Sequence, residues 1–136
     1  MTRPRVVKDI MSACAVTVAS DQDVLRAIEQ MPDARIQGAP VVDEHRSVVG
    51  VLSQKDCLRV VFRAAYQSRW HGKVAEYMNR EVGTLNAEAN LMDVPSLFLN
   101  APHVLYPVVD NNRLVGEVSY REIVKTLLAF EPKGPA

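Results

Sequence analysis

The sequence predicts an α/β (α+β) fold made of two copies of one β-α-β-β-α unit, related by a pseudo-twofold axis and packed through their sheets. Two observations predict it. The first is internal repetition. Val7-Lys8-Asp9-Ile10-Met11 recurs as Val74-Ala75-Glu76-Tyr77-Met78, Thr17-Val18 as Thr84-Leu85, and Pro40-Val41-Val42-Asp43 as Pro107-Val108-Val109-Asp110, at an offset of about 67 residues. One residue is then lost, and Val49-Gly50-Val51-Leu52-Ser53 matches Val115-Gly116-Glu117-Val118-Ser119. Chance supplies one such match, not an ordered series with one small gap. The second observation is size. A unit this small cannot bury both faces of a three-stranded sheet by itself, so the copies must cover each other.

The elements follow in order. Val16-Thr17-Val18 is short and β-branched, hence a strand. Ser20 or Asp21 offers an N-cap, and Val24, Ala27, Ile28 and Met31 continue at helical spacing until Pro32 stops the run. Gly38–Val42 and Val48–Leu52 read as paired strands around the polar turn Asp43–Ser47. Ser53 opens a helix carrying Cys57, Leu58, Val61 and Phe62 at spacings of three and four. The second copy repeats the order: Thr84-Leu85, a helix near Asn90–Asn100, Val104–Val109, Leu114–Val118, then Ser119–Phe130. Pro95 would break a helix interior, so this helix is expected to start late, with Asp93 as cap and Pro95 in its first turn. The units are residues 1–65 and 74–130, joined by a connector at 66–73 and followed by a frayed tail at 131–136.

Composition narrows the function. Sixteen Lys+Arg balance sixteen Asp+Glu, so no basic excess exists to neutralise phosphates, and nucleic acid is not expected as a partner. With 48% apolar residues the chain is not of the disordered class. No stretch approaches the roughly 20 apolar residues of a membrane span, and the first nine residues carry no apolar signal run. A cytoplasmic protein without a membrane partner is expected. Cys14 and Cys57 form no Cys-x-x-Cys pair and read as free thiols. His45, His71 and His103 are scattered without ligand spacing, so no metal is expected. Nucleophile-elbow, P-loop and dinucleotide glycine motifs are missing, and no catalytic residue is assigned; an enzyme is not expected.

The strand–helix order with Pro-Val-Val-Asp, then Val-Gly-Val-Leu-Ser-x-x-Asp opening the second helix, resembles the cystathionine-β-synthase (CBS) domain. Its presence twice, from about Val7 to Phe130, resembles the tandem CBS pair, or Bateman module, in its stand-alone form. The resemblance implies a regulatory module that binds an adenosine-containing ligand (AMP, ADP, ATP or S-adenosylmethionine) in a cleft between the copies. It implies no required cofactor, a homodimer formed through helices, and a protein partner that reads a conformational change. The alternative is a ligand-free dimerisation or interaction module.

Each candidate residue has two readings. Ser53-Gln54-Lys55-Asp56 is a capping box, with Ser at the N-cap and an acid three residues on. It is also a ribose–phosphate site, because a helix N-terminus favours an anion and a carboxylate there can accept ribose hydroxyls. The family places its Ser/Thr and Asp in that role, which implies Ser53 and Asp56, with Lys55 toward a phosphate. Gln37-Gly38-Ala39-Pro40 is a strand entry, or by resemblance the wall that reads the base. Val16 and Thr17 match the family's first-strand segment and complete the copy-one set. The copy-two set is Gly83, Thr84, Val104, Leu105, Tyr106, Pro107, Ser119, Arg121 and Glu122. It is the weaker site, because Glu122 replaces the Asp and its extra methylene moves the carboxylate. Tyr106 either stacks on a base or fills the pocket. Arg35 and His103 are rim candidates for a phosphate. Phe62, Tyr66 and Trp70, at helical spacing, read as packing or dimer seam.

Overall fold

A computed structural model describes residues 3–31, 37–67, 72–103 and 105–130. Two three-stranded sheets form, in the orders β1-β2-β3 and β4-β5-β6. The first contains β1 (Val18–Ala19), β2 (Gly38–Val42) and β3 (Val48–Ser53). The second contains β4 (Leu85–Asn86), β5 (Leu105–Asp110) and β6 (Arg113–Ser119). In each, the short first strand runs parallel to the second, and the second and third form an antiparallel pair. Helices α1 (Val24–Glu29), α2 (Gln54–Gln67), α3 (Val94–Asn100) and α4 (Tyr120–Leu128) complete the two β-α-β-β-α units.

Local chemistry sets the boundaries. The cap of α1 is Asp23, whose carboxylate accepts the Leu25 N–H at 2.8 Å, not Ser20 or Asp21. The chain needs Ser20–Gln22 for a turn that returns from β1, so the helix starts later. That helix ends at Glu29; Pro32 and Arg35 lie outside the described residues. The first strands also start later than expected: β1 has two residues and Val16 and Thr17 precede it, and β4 is shifted by one residue so that Thr84 precedes it. Pro95 falls in the first turn of α3, behind a 3-10 turn at Leu91–Asp93 capped by Asn90, whose side chain accepts the Met92 N–H. The helix does start late with Pro95 in its first turn, as expected, but the Asp93 side chain makes no capping hydrogen bond. Asn111 and Asn112 both take positive φ and make the two-residue β5–β6 turn, whereas five residues join β2 to β3. In register terms Val42 faces Val48 while Val109 faces Leu114. That turn accounts for the residue the second copy lacks.

The two copies exchange their leading segments. The 3-10 turn Val7–Asp9 stands against the second sheet: Val7 N–H donates to the Ala89 carbonyl and Lys8 N–H to that of Ala87. Its counterpart Val74–Glu76 stands against the first sheet, where Val74 N–H donates to Gln22 and Ala75 N–H to Ser20. Val7 is therefore buried with Leu85, Val108 and Phe98, and Val74 with Val18, Val41 and Leu52. Each valine contributes about 1.5–3 kcal/mol by burial. Beyond each turn the chain bridges to the other copy's third strand. Ser12 exchanges two backbone hydrogen bonds with Glu117, and Asn79 exchanges two with Val51. The pseudo-twofold axis is thus fixed by backbone pairing as well as by side-chain packing.

Candidate functional site

Two open cavities lie between the copies, one at the N-terminus of each long helix. The first has a volume of about 730 Å³. Strand β3 delivers Val51 and Ser53 to it, and the first turn of α2 delivers Lys55, Asp56 and Arg59. Gln37 enters from the start of β2, and its carbonyl accepts the Gln54 N–H at 3.1 Å. The opposite wall comes from the second copy. Tyr77, Met78, Asn79 and Val82 belong to its exchanged leader, and Pro102, His103 and Leu105 to the approach to β5.

At the centre is a capping box with an addition. Asp56 Oδ2 accepts the Ser53 N–H at 2.8 Å and the Ser53 hydroxyl at 2.9 Å, while Ser53 Oγ accepts the Asp56 N–H at 3.1 Å. Asp56 Oδ1 accepts from Arg59 Nη1 at 2.9 Å. The carboxylate is buried, and the guanidinium that neutralises it is exposed. A carboxylate has about four acceptor positions, so one remains open and Arg59 can vacate a second. Lys55 and Arg59 together outweigh Asp56, which gives this cavity a net positive wall.

The second cavity, of about 500 Å³, is the pseudo-symmetric counterpart. Ser119, Tyr120, Arg121 and Glu122 line it from the end of β6 and the start of α4, Gly38 and Leu105 from the strands, and Ser12, Ala13 and Ala15 from the first copy's leader. Glu122 Oε1 accepts the Ser119 N–H at 2.7 Å and its hydroxyl at 3.0 Å, so the longer side chain folds back into the capping role. Glu117 occupies the place of Val51. Burial, reinforced by the charge of Glu122, pushes its carboxyl up to about 7, against a hydrogen bond from the Cys14 thiol that lowers it. Burial also pushes the Cys14 thiol up to about 11, so it stays protonated and is a poor nucleophile. Buried Cys57 is raised as well, chiefly by desolvation.

The expected residues are divided by this geometry. Gln37, Ser53, Lys55 and Asp56 meet in the first cavity; Leu105, Ser119, Arg121 and Glu122 meet in the second. Gly38 lines the second cavity, not the first, because the strand entries of the two copies abut; Gln37 and Leu105 line both. Ala39, Pro40 and Pro107 are buried within their strands. Val16, Thr17, Gly83 and Thr84 are not among the lining residues of either cavity. Tyr106 is buried edge-on against Phe98 at 4.8 Å and donates its hydroxyl to the Leu97 carbonyl, so it fills the core of its copy. Val104 lies outside the described residues.

Sequence reasoning missed Arg59 and the segment 77–82. Arg59 stands one helical turn after Asp56, a spacing that pairs opposite charges on one face. The leader segment carried no such signal, because its contribution depends on the exchange between copies. Among the described residues no cluster of His, Cys, Asp and Glu is arranged to hold a metal ion, and no helix is long and apolar enough to cross a membrane.

The family model for the CBS domain matches residues 7–63 and 74–129. The CBS domain-containing protein YhcV of Bacillus subtilis is 29% identical over 131 residues, covering 96% of this chain and 91% of that protein. Inosine-5'-monophosphate dehydrogenase of Aquifex aeolicus is 31% identical over 112 residues, covering 81% of this chain but 22% of the enzyme. The uncharacterized protein MJ1225 of Methanocaldococcus jannaschii is 24% identical over 121 residues, and the 89% of this chain that aligns spans 42% of that protein. Among solved structures, the CBS domain pair of MJ0100 in complex with 5'-methylthioadenosine and S-adenosylmethionine superposes with TM-score 0.73 at 27% identity, over 93% of this chain and 98% of that one. CBSX2 in complex with AMP superposes with TM-score 0.78 at 24% identity, over 95% and 100%, a likeness of fold.

Proposed function

The chain belongs to the CBS-domain family as a tandem pair, a regulatory and non-catalytic module, and from that premise we propose that it senses an adenosine-containing ligand in its first cavity. The observation that supports this is the Asp56 carboxylate at the α2 N-terminus, with Arg59 and Lys55 beside it. Asp56 receives the ribose hydroxyls on the acceptor position it keeps open and the one Arg59 vacates. Lys55, Arg59 and the helix N-terminus face the phosphate. The base lies between Val51 and the apolar side chains of the exchanged leader. AMP, ADP, ATP and S-adenosylmethionine all present the adenosine such a site reads.

The module works in the cytoplasm as a homodimer, and a protein partner reads the change on binding. Two wall segments of the cavity come from different copies, so a ligand that prefers one relative tilt shifts the population toward it. The dimer seam is the apolar outer face of α2 and α4, where Leu58, Phe62 and Tyr66, and Val124 and Leu128, recur at helical spacing and are exposed. The alternative, a module kept for dimerisation with empty clefts, has support in the second cavity, whose Glu122 is folded back into its cap.

A thermal-shift panel of AMP, ADP, ATP, S-adenosylmethionine, NAD and GTP tests the reading. A ligand at 100 times its dissociation constant adds about 2.7 kcal/mol of stability, a rise of several degrees for a chain of this size. A rise with an adenosine compound supports the sensor. A flat panel, with a dimer intact, moves the function to the interaction module.

A further inference from the structure

The two cavities differ at the residue that follows the glycine of each third strand. Where Val51 gives the first an apolar wall, Glu117 gives the second a carboxylate. Glu117 Oε1 is sealed from solvent and has no hydrogen-bond partner among the described residues. A buried carboxylate oxygen left this way carries its full desolvation cost unless a proton or a donor reaches it. Its terminal dihedral is a soft, two-fold rotor, so the carboxylate can turn an oxygen toward the cavity it lines. Tyr120 adds an aromatic ring to the same cavity. The first cavity has two cations to one carboxylate; the second has Glu117 and Glu122 to one Arg121.

We propose that the second cavity is a site for a small organic cation, an ammonium-bearing molecule whose N–H groups are received by Glu117. This does not rest on the adenosine reading of the first cavity. The ammonium supplies the donors that Oε1 lacks, and the Tyr120 ring face favours a cation beside it. The groups around Glu117 are the Cys14 thiol from the leader and Glu122 and Arg121 from α4; Arg46, from the β2–β3 turn, acts through Cys14. The Glu117 carboxyl, raised to about 7, is mostly neutral at pH 6 and mostly ionised at pH 8. Cation binding therefore strengthens as pH rises through 7 and levels off above it.

The test is amide NMR of the full chain titrated with butylamine, and with 1-butanol as its uncharged match, at pH 6 and pH 8 in constant salt. Butylamine is expected to move amides in segments 12–15 and 117–122, with several-fold tighter binding at pH 8. Glu117→Val, which installs the residue of the other copy, weakens binding at least tenfold. Glu117→Gln keeps the polar shape and removes the pH dependence. The proposal is overturned if no cavity amide moves, if butanol moves them equally, or if both folded variants bind as the parent does.

Discussion

Arg59 holds Oδ1 of Asp56 at 2.9 Å, one turn further along the same helix. The carboxylate is buried and its partner exposed, so the pair is a charge held ready with a counter-ion that can leave. Removing Asp56 and removing Arg59 therefore have different consequences.

Asp56→Ala removes the proposed ribose acceptor and half of the capping box. Calorimetry is expected to show at least a tenfold loss of nucleotide affinity, about 1.5–3 kcal/mol for hydrogen bonds to a charged group. Folding stability falls by about 1 kcal/mol for the lost cap, so the protein stays folded. Arg59→Ala frees Oδ1 of Asp56 and removes the proposed phosphate partner. AMP affinity is expected to fall while adenosine affinity holds or rises. Equal losses for the two ligands would show that Arg59 does not face a phosphate.

A second relationship locks the copies together. A Cβ on Gly50 would stand 2.8 Å from the Asn79 carbonyl, and one on Gly116 would stand 2.9 Å from that of Ser12. These are backbone oxygens of the exchanged leaders, and they are held by the bridges Val51–Asn79 and Ser12–Glu117. They cannot move aside as a flexible side chain does. Gly50→Ala and Gly116→Ala are each expected to cost about 1–3 kcal/mol, the usual range for overpacking. Urea titration measures it. A parent-like midpoint in both variants would show that the leaders are not held in place.

Much of this was legible in the sequence, and the rest was hidden for physical reasons. Strands β2 and β3 carried clear β-branched runs around a polar turn, and Ser53-x-x-Asp56 carried its cap. Pro95 announced its own position. The first helix cap was misplaced because Ser20, Asp21 and Asp23 are all good caps locally, and only the return from β1 selects Asp23. The cavity's far wall was invisible because each copy's leader packs on the other copy. Repetition gives the unit, but it does not say which unit a leader joins. Arg59 is legible as an i,i+3 partner of Asp56, a spacing that puts both on one helix face.

The Glu117 carboxyl also bears on stability. Its ordinary value of 4.5 is raised to about 7, first by burial and then by Glu122. Between these values the folded chain binds more protons than the unfolded one, so stability falls as pH rises through the window. Asp9 has the opposite sign: hydrogen bonds from the Arg5 and Val6 N–H groups hold it low. The difference between variants isolates Glu117. The melting temperature of Glu117→Gln minus that of the parent is expected to grow from pH 5 to pH 8. A constant difference would mean that Glu117 ionises normally in the folded chain.

Leu58, Phe62 and Tyr66 lie four residues apart on the outer face of α2, and Phe62 is 61% exposed. Phe62 and Tyr66 meet edge to face at 4.8 Å. Val124 and Leu128 repeat the spacing on α4. A second copy that covers both stripes removes these side chains from water, and a stable dimer needs about 1,200 Å² or more of buried surface. Light scattering on a sizing column is expected to give twice the chain mass at micromolar concentration. Phe62→Asp places a charge in the seam without touching the core. It is expected to yield a folded monomer, with thermal stability that no longer rises with protein concentration. A parent that already runs as a monomer would remove the dimer, and a dimeric Phe62→Asp variant would move the seam off α2.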